Sequence, residues 1–204
     1  MRIGIYGGAF NPPHNGHVHA ARSAKEALGL DRVIVVPSCV PPHKQLAPGT
    51  PSDADRFEMA RLAFSPMGAQ VSDMELARGG VSYTAQTMEL VARQYPKDDL
   101  WFIVGADMFL SMQKWKTPER IFALCRVAAV PREKDDLGAI LEQKAQLERD
   151  YGARVDVVAA KPCEAASSRA RAALKNGEDT PTIPEAVRAY IARRSLYRAG
   201  AGDE

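Results

Sequence analysis

The sequence is poor in cysteine and has no long apolar run. Its 204 residues include three cysteines, Cys39, Cys125 and Cys163, which are far apart and form no Cys-x-x-Cys pair. This spacing argues against a disulfide framework and against a structural zinc site, so we expect reduced thiols. No apolar run approaches the roughly 20 residues that cross a bilayer, and the N-terminus lacks the apolar segment of a secretory signal. We therefore expect a cytoplasmic protein with no membrane partner.

The chain also carries little excess charge. It has 27 Lys and Arg residues against 25 Asp and Glu residues, a formal net charge of +2. This balance does not predict a nucleic-acid-binding surface, so we expect no nucleic-acid partner. A late group of arginines is interpreted as one solvated helix face. These are Arg188, Arg193, Arg194 and Arg198.

What the chain does have is a regular alternation of segments. Apolar, β-branched runs predict strands at residues 3–6, 32–36, 70–72, 100–104, 127–130 and 155–158. Helices are predicted between or after them, at 16–28, 53–63, 82–95, around 121, around 141 and at 167–174. This order predicts an α/β fold, a Rossmann-like doubly wound parallel sheet of five to six strands with helices on both faces. Such sheets bind ligands at the carboxyl ends of their strands.

The composition and length fit one domain. Apolar residues make up 46% of the chain, enough for the core of a single α/β unit. We expect that domain to cover residues 1–198, with a C-terminal helical part from about residue 165. Residues 199–204 are expected to form a frayed tail.

The stretch 2–17, RIGIYGGAFNPPHNGH, joins a strand, two glycines, a proline turn and two histidines. Without a Cβ, the backbone of Gly7 and Gly8 can take unusual φ/ψ values and approach a polyphosphate. His14 and His17 are three residues apart, so on a helix they share one face of the first turn. The free N–H groups and the positive dipole end of that turn attract anions. The stretch therefore predicts a phosphate site.

Two other interpretations of the histidines remain open at this point. A pair at i and i+3 has the geometry of metal ligands, but no Cys or carboxylate lies beside it to complete a site. Two satisfied surface histidines at a helix start are the structural alternative. The double glycine after a strand favours the phosphate site over both, and we expect no protein-held metal.

The residues GGAFNPPHNGH resemble the signature of the HxGH nucleotidyltransferase superfamily, whose members join a nucleotide to a phosphate or carboxylate acceptor and release pyrophosphate. Further motifs are similar, in order, to those of bacterial nicotinate-mononucleotide adenylyltransferases. They are Pro41-Pro42-His43-Lys44, Ser82-Tyr83-Thr84, Gly105-x-Asp107 followed by Trp115, and Ser167-Ser168-Arg169-Ala170-Arg171. Together the motifs span most of the chain.

The resemblance implies an enzyme of NAD biosynthesis. It would join ATP to nicotinate mononucleotide, yield deamido-NAD and release pyrophosphate, with Mg²⁺ shared by the substrate phosphates. Alternative acceptors are nicotinamide mononucleotide and phosphopantetheine, and a non-catalytic nucleotide sensor is the alternative from another class. Trp115 and the segment from Ser82 to Thr84 argue against phosphopantetheine, and the intact histidine pair argues against a sensor. Homo-oligomerisation stays open.

The resemblance also implies roles for individual residues. The catalytic set would be His14, His17, Lys44 and Arg171. The ATP-binding set would be Gly7, Gly8, Ala9, Phe10, Gly105, Asp107, Ser167 and Ser168. The acceptor-binding set would be Tyr83, Thr84 and Trp115.

Each of the later motifs has a plainer interpretation. Lys44 could be an ordinary exposed lysine, although its proline-rich loop, 38–52, is long enough to act as a lid over ATP. Asp107 and Thr84 could cap helices. Trp115 could be a half-buried core aromatic, and Ser167 could cap a helix that carries a surface arginine.

The chain departs from the pattern of these adenylyltransferases at three places. The segment Ala165 to Arg171 reads AASSRAR where the pattern has Ile-Ser-Ser-Thr-x-Ile-Arg, so one serine is absent and a serine replaces threonine. Asn11 and Gln86 stand where aspartate is common. These differences concern the detailed roles of the positions more than the reaction.

Overall fold

The computed structural model describes residues 1–42, 46–133, 136–160, 163 and 165–198. It contains six strands: β1 (Arg2–Gly8), β2 (Arg32–Pro37), β3 (Gln70–Val71), β4 (Asp99–Gly105), β5 (Arg126–Val130) and β6 (Val155–Val157). The helices of the described part are α1 (Asn15–Ala27), α2 (Asp53–Phe64), α3 (Met74–Arg78), α4 (Thr84–Gln94), α5 (Ala106–Phe109), α6 (Pro118–Leu124), α7 (Asp136–Tyr151), α8 (Ser167–Lys175) and α9 (Glu185–Arg193). Short 3₁₀ turns cover Ser65–Met67 and Met112–Lys114.

The six strands form one parallel sheet in the order β3-β2-β1-β4-β5-β6. This confirms the Rossmann-like α/β prediction. The chain adds β2 and β3 on one side of β1 and then β4, β5 and β6 on the other, so β1 pairs with both β2 and β4. The carboxyl ends of β1 and β4 therefore bound the crevice in which doubly wound sheets bind ligands.

Each face of the sheet has its own apolar core, because successive side chains of a strand point to opposite faces. In β2, Ile34 and Val36 belong to the core that includes helices α4, α6 and α7. The intervening Val33 and Val35 belong to the core that includes α1, α2 and α9. The helices on both faces are thus confirmed, and strands buried on both sides explain why their sequences are apolar without alternation.

Helix α4 begins two residues later than predicted, and no hydroxyl side chain caps it. Helix α4 begins at Thr84, and its N-cap, Tyr83, makes no side-chain capping bond. Ser82 does not cap the helix, because its hydroxyl oxygen accepts a hydrogen bond from the backbone N–H of Cys39 at 2.9 Å. The interpretation of Thr84 as a cap is also wrong, since it is the first helical residue. Sequence patterns did not predict the short helices α3 and α5, whereas the helix inferred from the late arginines is present as α9.

Helix α9 packs on α2 through a buried carboxylate. Asp55 accepts a hydrogen bond from the hydroxyl of Tyr190 at 2.8 Å and forms an ion pair with Arg194 at 3.2 Å. The late arginines were predicted to form one solvated helix face. Arg193, Arg194 and Arg198 are exposed, but only Arg188 and Arg193 lie within α9, so the four do not share one helix.

In the part of the chain that the structure describes, no helix is both long enough and apolar enough to cross a membrane. The predicted tail at 199–204 lies outside the described residues.

Candidate active site

The turn after β1 is held by an unusual backbone at Phe10, not at the glycines. Gly7 and Gly8 lie inside the strand and pair with Val36 and Pro37, so the prediction of unusual φ/ψ values there is wrong. The left-handed residue is Phe10, at φ 44°. A Cβ on Gly8 would lie 3.1 Å from the Phe10 ring, so this glycine supplies space for the ring.

The Phe10 side chain explains how a non-glycine residue tolerates this conformation. Its ring is 1% exposed and meets the rings of Tyr6, His17 and Phe64 edge to face, at centroid distances of 5.7, 5.2 and 5.2 Å. Left-handed backbone at such a residue costs about 1–3 kcal/mol. Burial of a phenylalanine ring in aromatic contacts offsets a cost of that size.

His14 and His17 form a reciprocal cap at the start of α1. His14 is the N-cap, and its Nδ1 accepts the backbone N–H of His17 at 3.3 Å. Nδ1 of His17 accepts the backbone N–H of His14 at 3.2 Å. The two rings stack at 3.6 Å between centroids, 20° from parallel. Because each Nδ1 is an acceptor, the ring proton of each neutral imidazole is on Nε2.

This geometry refines the interpretation of the pair. The histidines do share one face of the first turn, as predicted. They are not two surface histidines, since His14 is only 3% exposed. Gly16 is required beside them, because a Cβ there would lie 3.1 Å from Nδ1 of His14. Among the described residues, no group of three or more His, Cys, Asp and Glu side chains is arranged to hold a metal ion.

A cavity of about 480 Å³ opens at the carboxyl ends of β1 and β4 and gathers most of the predicted site. The predicted residues that line it are Gly7, Gly8, Ala9, Phe10, His14, His17, Thr84, Gly105, Asp107, Trp115, Ser167, Ser168 and Arg171. Tyr83 does not line it. The Tyr83 ring instead lies under Lys116, whose Nζ is 4.1 Å from the ring centroid. Lys44 and His43 lie outside the described residues.

Arg132 is a cation of this cavity that the sequence patterns did not predict. It follows β5 and donates to the Asp107 carboxylate at 2.5 Å and to the backbone oxygen of Ala165 at 2.7 Å. Asp107 is therefore an ion-pair partner and not the N-cap of α5, a position taken by Gly105. The one signal available in the sequence was position, since residue 132 follows the carboxyl end of a predicted strand.

Comparison with known proteins places this geometry in a family. The model of the family described as Cytidylyltransferase-like matches residues 5–172. A protein of Citrifermentans bemidjiense named "Probable nicotinate-nucleotide adenylyltransferase" is 38% identical over 213 residues, covering 97% of this chain and 98% of that protein. A protein of Gloeobacter violaceus with the same name is 37% identical over 205 residues, covering 98% of each. The chain belongs to this adenylyltransferase family.

Solved structures agree with the fold. The Plasmodium falciparum nicotinic acid mononucleotide adenylyltransferase complexed with NaAD has a TM-score of 0.73 and 17% identity, over 97% of both chains. The same enzyme complexed with APC has a TM-score of 0.71 and 15% identity, over 96% of both chains. At these identities the likeness shows that the chain has the adenylyltransferase fold.

Trp115 lines the cavity and is more deeply buried than a half-buried aromatic. It is 8% exposed, packs edge to face on Phe102 at 5.9 Å, and donates from Nε1 to the hydroxyl of Ser111 at 3.3 Å. These contacts fix the plane of the indole. The part that lines the cavity is therefore a rigid apolar wall.

Glu75 is a second cavity residue that the sequence patterns missed. It is 5% exposed, accepts the hydroxyl of Thr87, and has its pKa raised mainly by burial. The bond joins α3 to the second turn of α4, so the carboxylate orients the start of α4. Thr84 lies in the adjacent first turn.

The start of α8 contacts the turn after β1 directly. Ser167 donates its hydroxyl to the backbone oxygen of Pro12 at 3.0 Å, and Arg171 donates to the backbone oxygen of Asn11 at 2.7 Å. Ser167 is not a helix cap, because the N-cap is Ala166. Each of these two side chains therefore donates a hydrogen bond to the turn after β1. The first backbone N–H groups of α8 lie beside the cavity.

Arg56 is the buried cation behind the turn. It is 0% exposed and donates to the backbone oxygens of Ala9, Ser38 and Cys39 at 3.1, 2.5 and 3.3 Å. Its remaining partner is the half-exposed carboxylate of Asp53 at 2.5 Å. The guanidinium therefore joins the end of β1 to the start of the loop that follows β2.

The buried position of His14 predicts a specific loss of stability in mild acid. Burial, with the charge of Arg132 as the second cause, lowers the pKa of His14 from 6.5 to about 4. Between these values the unfolded chain binds more protons than the folded one, so stability falls as the pH falls. We expect this residue to remove about 2 kcal/mol from the free energy of unfolding between pH 7 and pH 5.

The control for this pH effect is His14→Asn, because asparagine preserves the N-cap but does not titrate. Urea unfolding at pH 7 and pH 5 should show a smaller loss in the variant by about 2 kcal/mol. Equal losses in the two proteins would contradict the assignment to His14.

Proposed function

We propose that the chain transfers the adenylyl group of ATP to the phosphate of nicotinate mononucleotide, giving deamido-NAD and pyrophosphate. The observation that carries this proposal is the stacked histidine pair, which shares one cavity with Trp115 and the start of α4. An acceptor phosphate oxygen attacks the α-phosphorus of ATP, and the bond from that phosphorus to the bridging oxygen breaks. Pyrophosphate carries away the electron pair. The attacking oxygen is already an anion, so no general base is needed.

Catalysis of this kind depends on position and charge. The Nε2 protons of His14 and His17 provide donors for the oxygens of the α-phosphate, where negative charge develops. Backbone N–H groups at the starts of α1 and α8 add to the same field. We propose the catalytic role for both histidines and for Arg171, whose bond to the turn places its charge beside them. The proposed role of Lys44 rests on the sequence motif alone.

The ATP site follows from the same arrangement. The extended backbone of Gly7 and Gly8 and the turn through Ala9 and Phe10 form one wall of the cavity at the end of β1. Gly105 and Asp107 lie opposite, at the end of β4, where a carboxylate can accept hydrogen bonds from ribose hydroxyls. Arg132 holds that carboxylate in place. Ser168, exposed in the first turn of α8, contributes a hydroxyl to the phosphate side of the cavity.

Mg²⁺ fits this donor set as a companion of the substrates. The ion keeps several waters and binds mainly through substrate phosphates, so a protein cage is not required. It would neutralise charge on the phosphates as pyrophosphate leaves. Asp107 is an exposed carboxylate that lines the cavity, and carboxylate oxygens are ligands of Mg²⁺. This carboxylate already forms an ion pair with Arg132.

The cytoplasmic location and the homo-oligomerisation left open by the sequence remain predictions. The expectation of no nucleic-acid and no membrane partner, which rests on the balanced charge and the lack of a long apolar run, also remains a prediction. The cavity volume of about 480 Å³ is within the range of small-molecule sites.

The acceptor preference is the test of this function. Backbone N–H groups at the start of α4, beside Thr84, form a positive field that favours the carboxylate of nicotinate over a neutral amide. We expect kcat/KM for nicotinate mononucleotide to exceed that for nicotinamide mononucleotide by at least about tenfold, which is ~1.4 kcal/mol. Initial rates at low acceptor concentration, measured side by side, give the ratio.

Matched measurements separate recognition of the ring from recognition of the carboxylate. Trp115→Ala should weaken the use of both mononucleotides, because an apolar wall does not distinguish acid from amide. Equal rates with the two acceptors in the wild type would overturn the preference and leave adenylyl transfer intact. A preference for phosphopantetheine over both would overturn the proposed acceptor class.

A further inference from the structure

The turn that carries the histidines is clasped by the C-terminal part of the chain. Asn15 donates two hydrogen bonds to the segment before α9, from its backbone N–H to the backbone oxygen of Thr182 at 2.7 Å and from Nδ2 to that of Pro181 at 3.1 Å. Pro12 and the backbone oxygen of Asn11 are held by α8, as described above. One further contact in this set comes from the last turn of the described chain.

That contact is a buried hydrogen bond from Tyr197. Its hydroxyl donates to the side-chain oxygen Oδ1 of Asn11 at 2.6 Å, and the two residues are 9% and 4% exposed. Burial raises the pKa of the Tyr197 hydroxyl well above its usual range, so it keeps the proton that it donates. Tyr197 adopts a left-handed backbone, at φ 64°, a conformation that a tyrosine takes only where its surroundings hold it.

The hydrogen bonds continue from Asn11 into the loop that follows β2. The Asn11 amide nitrogen Nδ2 donates to the hydroxyl oxygen of Thr50 at 2.7 Å. The Thr50 hydroxyl donates in turn to the backbone oxygen of Ala47 at 2.6 Å. Asn11, Leu46 and Ala47 all line the cavity. A chain of three bonds, Tyr197 to Asn11 to Thr50 to Ala47, therefore links the C-terminal part, the histidine turn and one wall of the cavity.

The direction of each bond makes the chain cooperative. Because the Tyr197 proton occupies Oδ1, the Asn11 amide is oriented with Nδ2 toward Thr50. The Thr50 hydroxyl oxygen accepts this N–H. The Thr50 hydroxyl proton is then donated to the backbone oxygen of Ala47. Without the tyrosine hydroxyl, the amide loses the partner that selects this orientation, and a buried polar atom is left unsatisfied.

We propose that Tyr197 is a positioning residue for the ATP side of the site, acting through the Asn11 amide on the histidine turn and on the loop segment at Thr50. The inference rests on the proposed function, since the substrate concerned is ATP. Tyr197 itself does not line the cavity. On the proposed acceptor side, Trp115 follows the 3₁₀ turn Met112–Lys114 and Thr84 begins α4, elements other than those that this chain of bonds joins.

The test is Tyr197→Phe, which preserves the ring and removes only the hydroxyl. We expect KM for ATP to rise about fivefold, the scale of one buried hydrogen bond, while KM for nicotinate mononucleotide changes by less than about twofold. The matched control is Tyr151→Phe, a tyrosine 37% exposed that packs on Phe122 away from the cavity. The control should change neither constant.

A second variant keeps the test independent of folding at Tyr197. Thr50→Val breaks the chain one bond further along and should reproduce the selective rise in KM for ATP. The double variant should be no worse than either single one, because both remove the same path. Additive effects, or equal rises for the two substrates, would overturn the positioning role. If the wild type shows no acceptor-dependent turnover, the proposed function itself is wrong, so the two failures can be distinguished.

Discussion

We expect His17→Ala to lower kcat for adenylyl transfer by roughly 10²- to 10³-fold, the effect of removing one preorganised donor from a site of charge development. The KM for ATP should change only a few-fold, because the lost bond is strongest in the transition state. Steady-state kinetics with saturating nicotinate mononucleotide measure both constants.

The matched control for His17 separates chemistry from capping. The ring of His17 also accepts the backbone N–H of His14, so alanine removes part of the helix cap as well as the donor. His17→Gln restores a side chain that can close the same cap, as glutamine does at this helix position. We expect the glutamine variant to unfold like the wild type and still to turn over slowly. Near-wild-type turnover in either variant would remove His17 from the mechanism.

Replacement of Arg56 should produce the largest loss of stability. Arg56→Met removes the donor from the buried backbone oxygen of Ser38 and from the partly buried ones of Ala9 and Cys39. Unsatisfied buried acceptors cost about 1–3 kcal/mol each, with partial relief from water, so we expect a loss of about 3–5 kcal/mol. Urea unfolding with a common m-value measures it.

Arg61→Met on the same helix is the control for Arg56. The Arg61 side chain is half-exposed and pairs with Glu58 one turn away, at 2.6 Å. Exposed pairs of this kind contribute about 0.2–1 kcal/mol, so the control should be nearly silent. Equal losses in the two variants would show that burial at Arg56 has no special consequence.

The fold was predictable because its signals are local. The central strands β2, β4 and β5 are continuous apolar runs, and glycine or proline ends or follows each of them. The short helices α3 and α5 carry no such signal, since four or five residues give no periodicity. Helix α9 was indicated only by its arginines, so its bounds and its buried side, Val187 and Ile191, were not predicted.

The site was predictable only where its residues are adjacent in the chain. The histidine pair and its helix start lie within four residues, so spacing alone brings them together. Arg56 and Tyr197 contact the turn after β1, and Arg132 pairs with Asp107 after β4, from positions far away in sequence, and no pattern around these residues indicates those contacts. Their roles depend on tertiary contacts that the sequence does not display.

The glycines illustrate a local signal with a mistaken cause. Gly7 and Gly8 do lie directly before the turn after β1, but their backbone is extended and the left-handed residue is Phe10. Sequence reasoning assigned the strain to the residues that tolerate it best. The fold instead places it where a ring can be buried among Tyr6, His17 and Phe64, which only the three-dimensional packing reveals.

The central claim is tested most directly by following labelled ATP. The protein is incubated with nicotinate mononucleotide, Mg²⁺ and ATP labelled in separate experiments at the α- and at the γ-phosphate. Transfer of the adenylyl group predicts α-label in a dinucleotide and γ-label in pyrophosphate, in equal amounts and only when the acceptor is present. Release of either label without acceptor, or appearance of γ-label in the acceptor product, would contradict it.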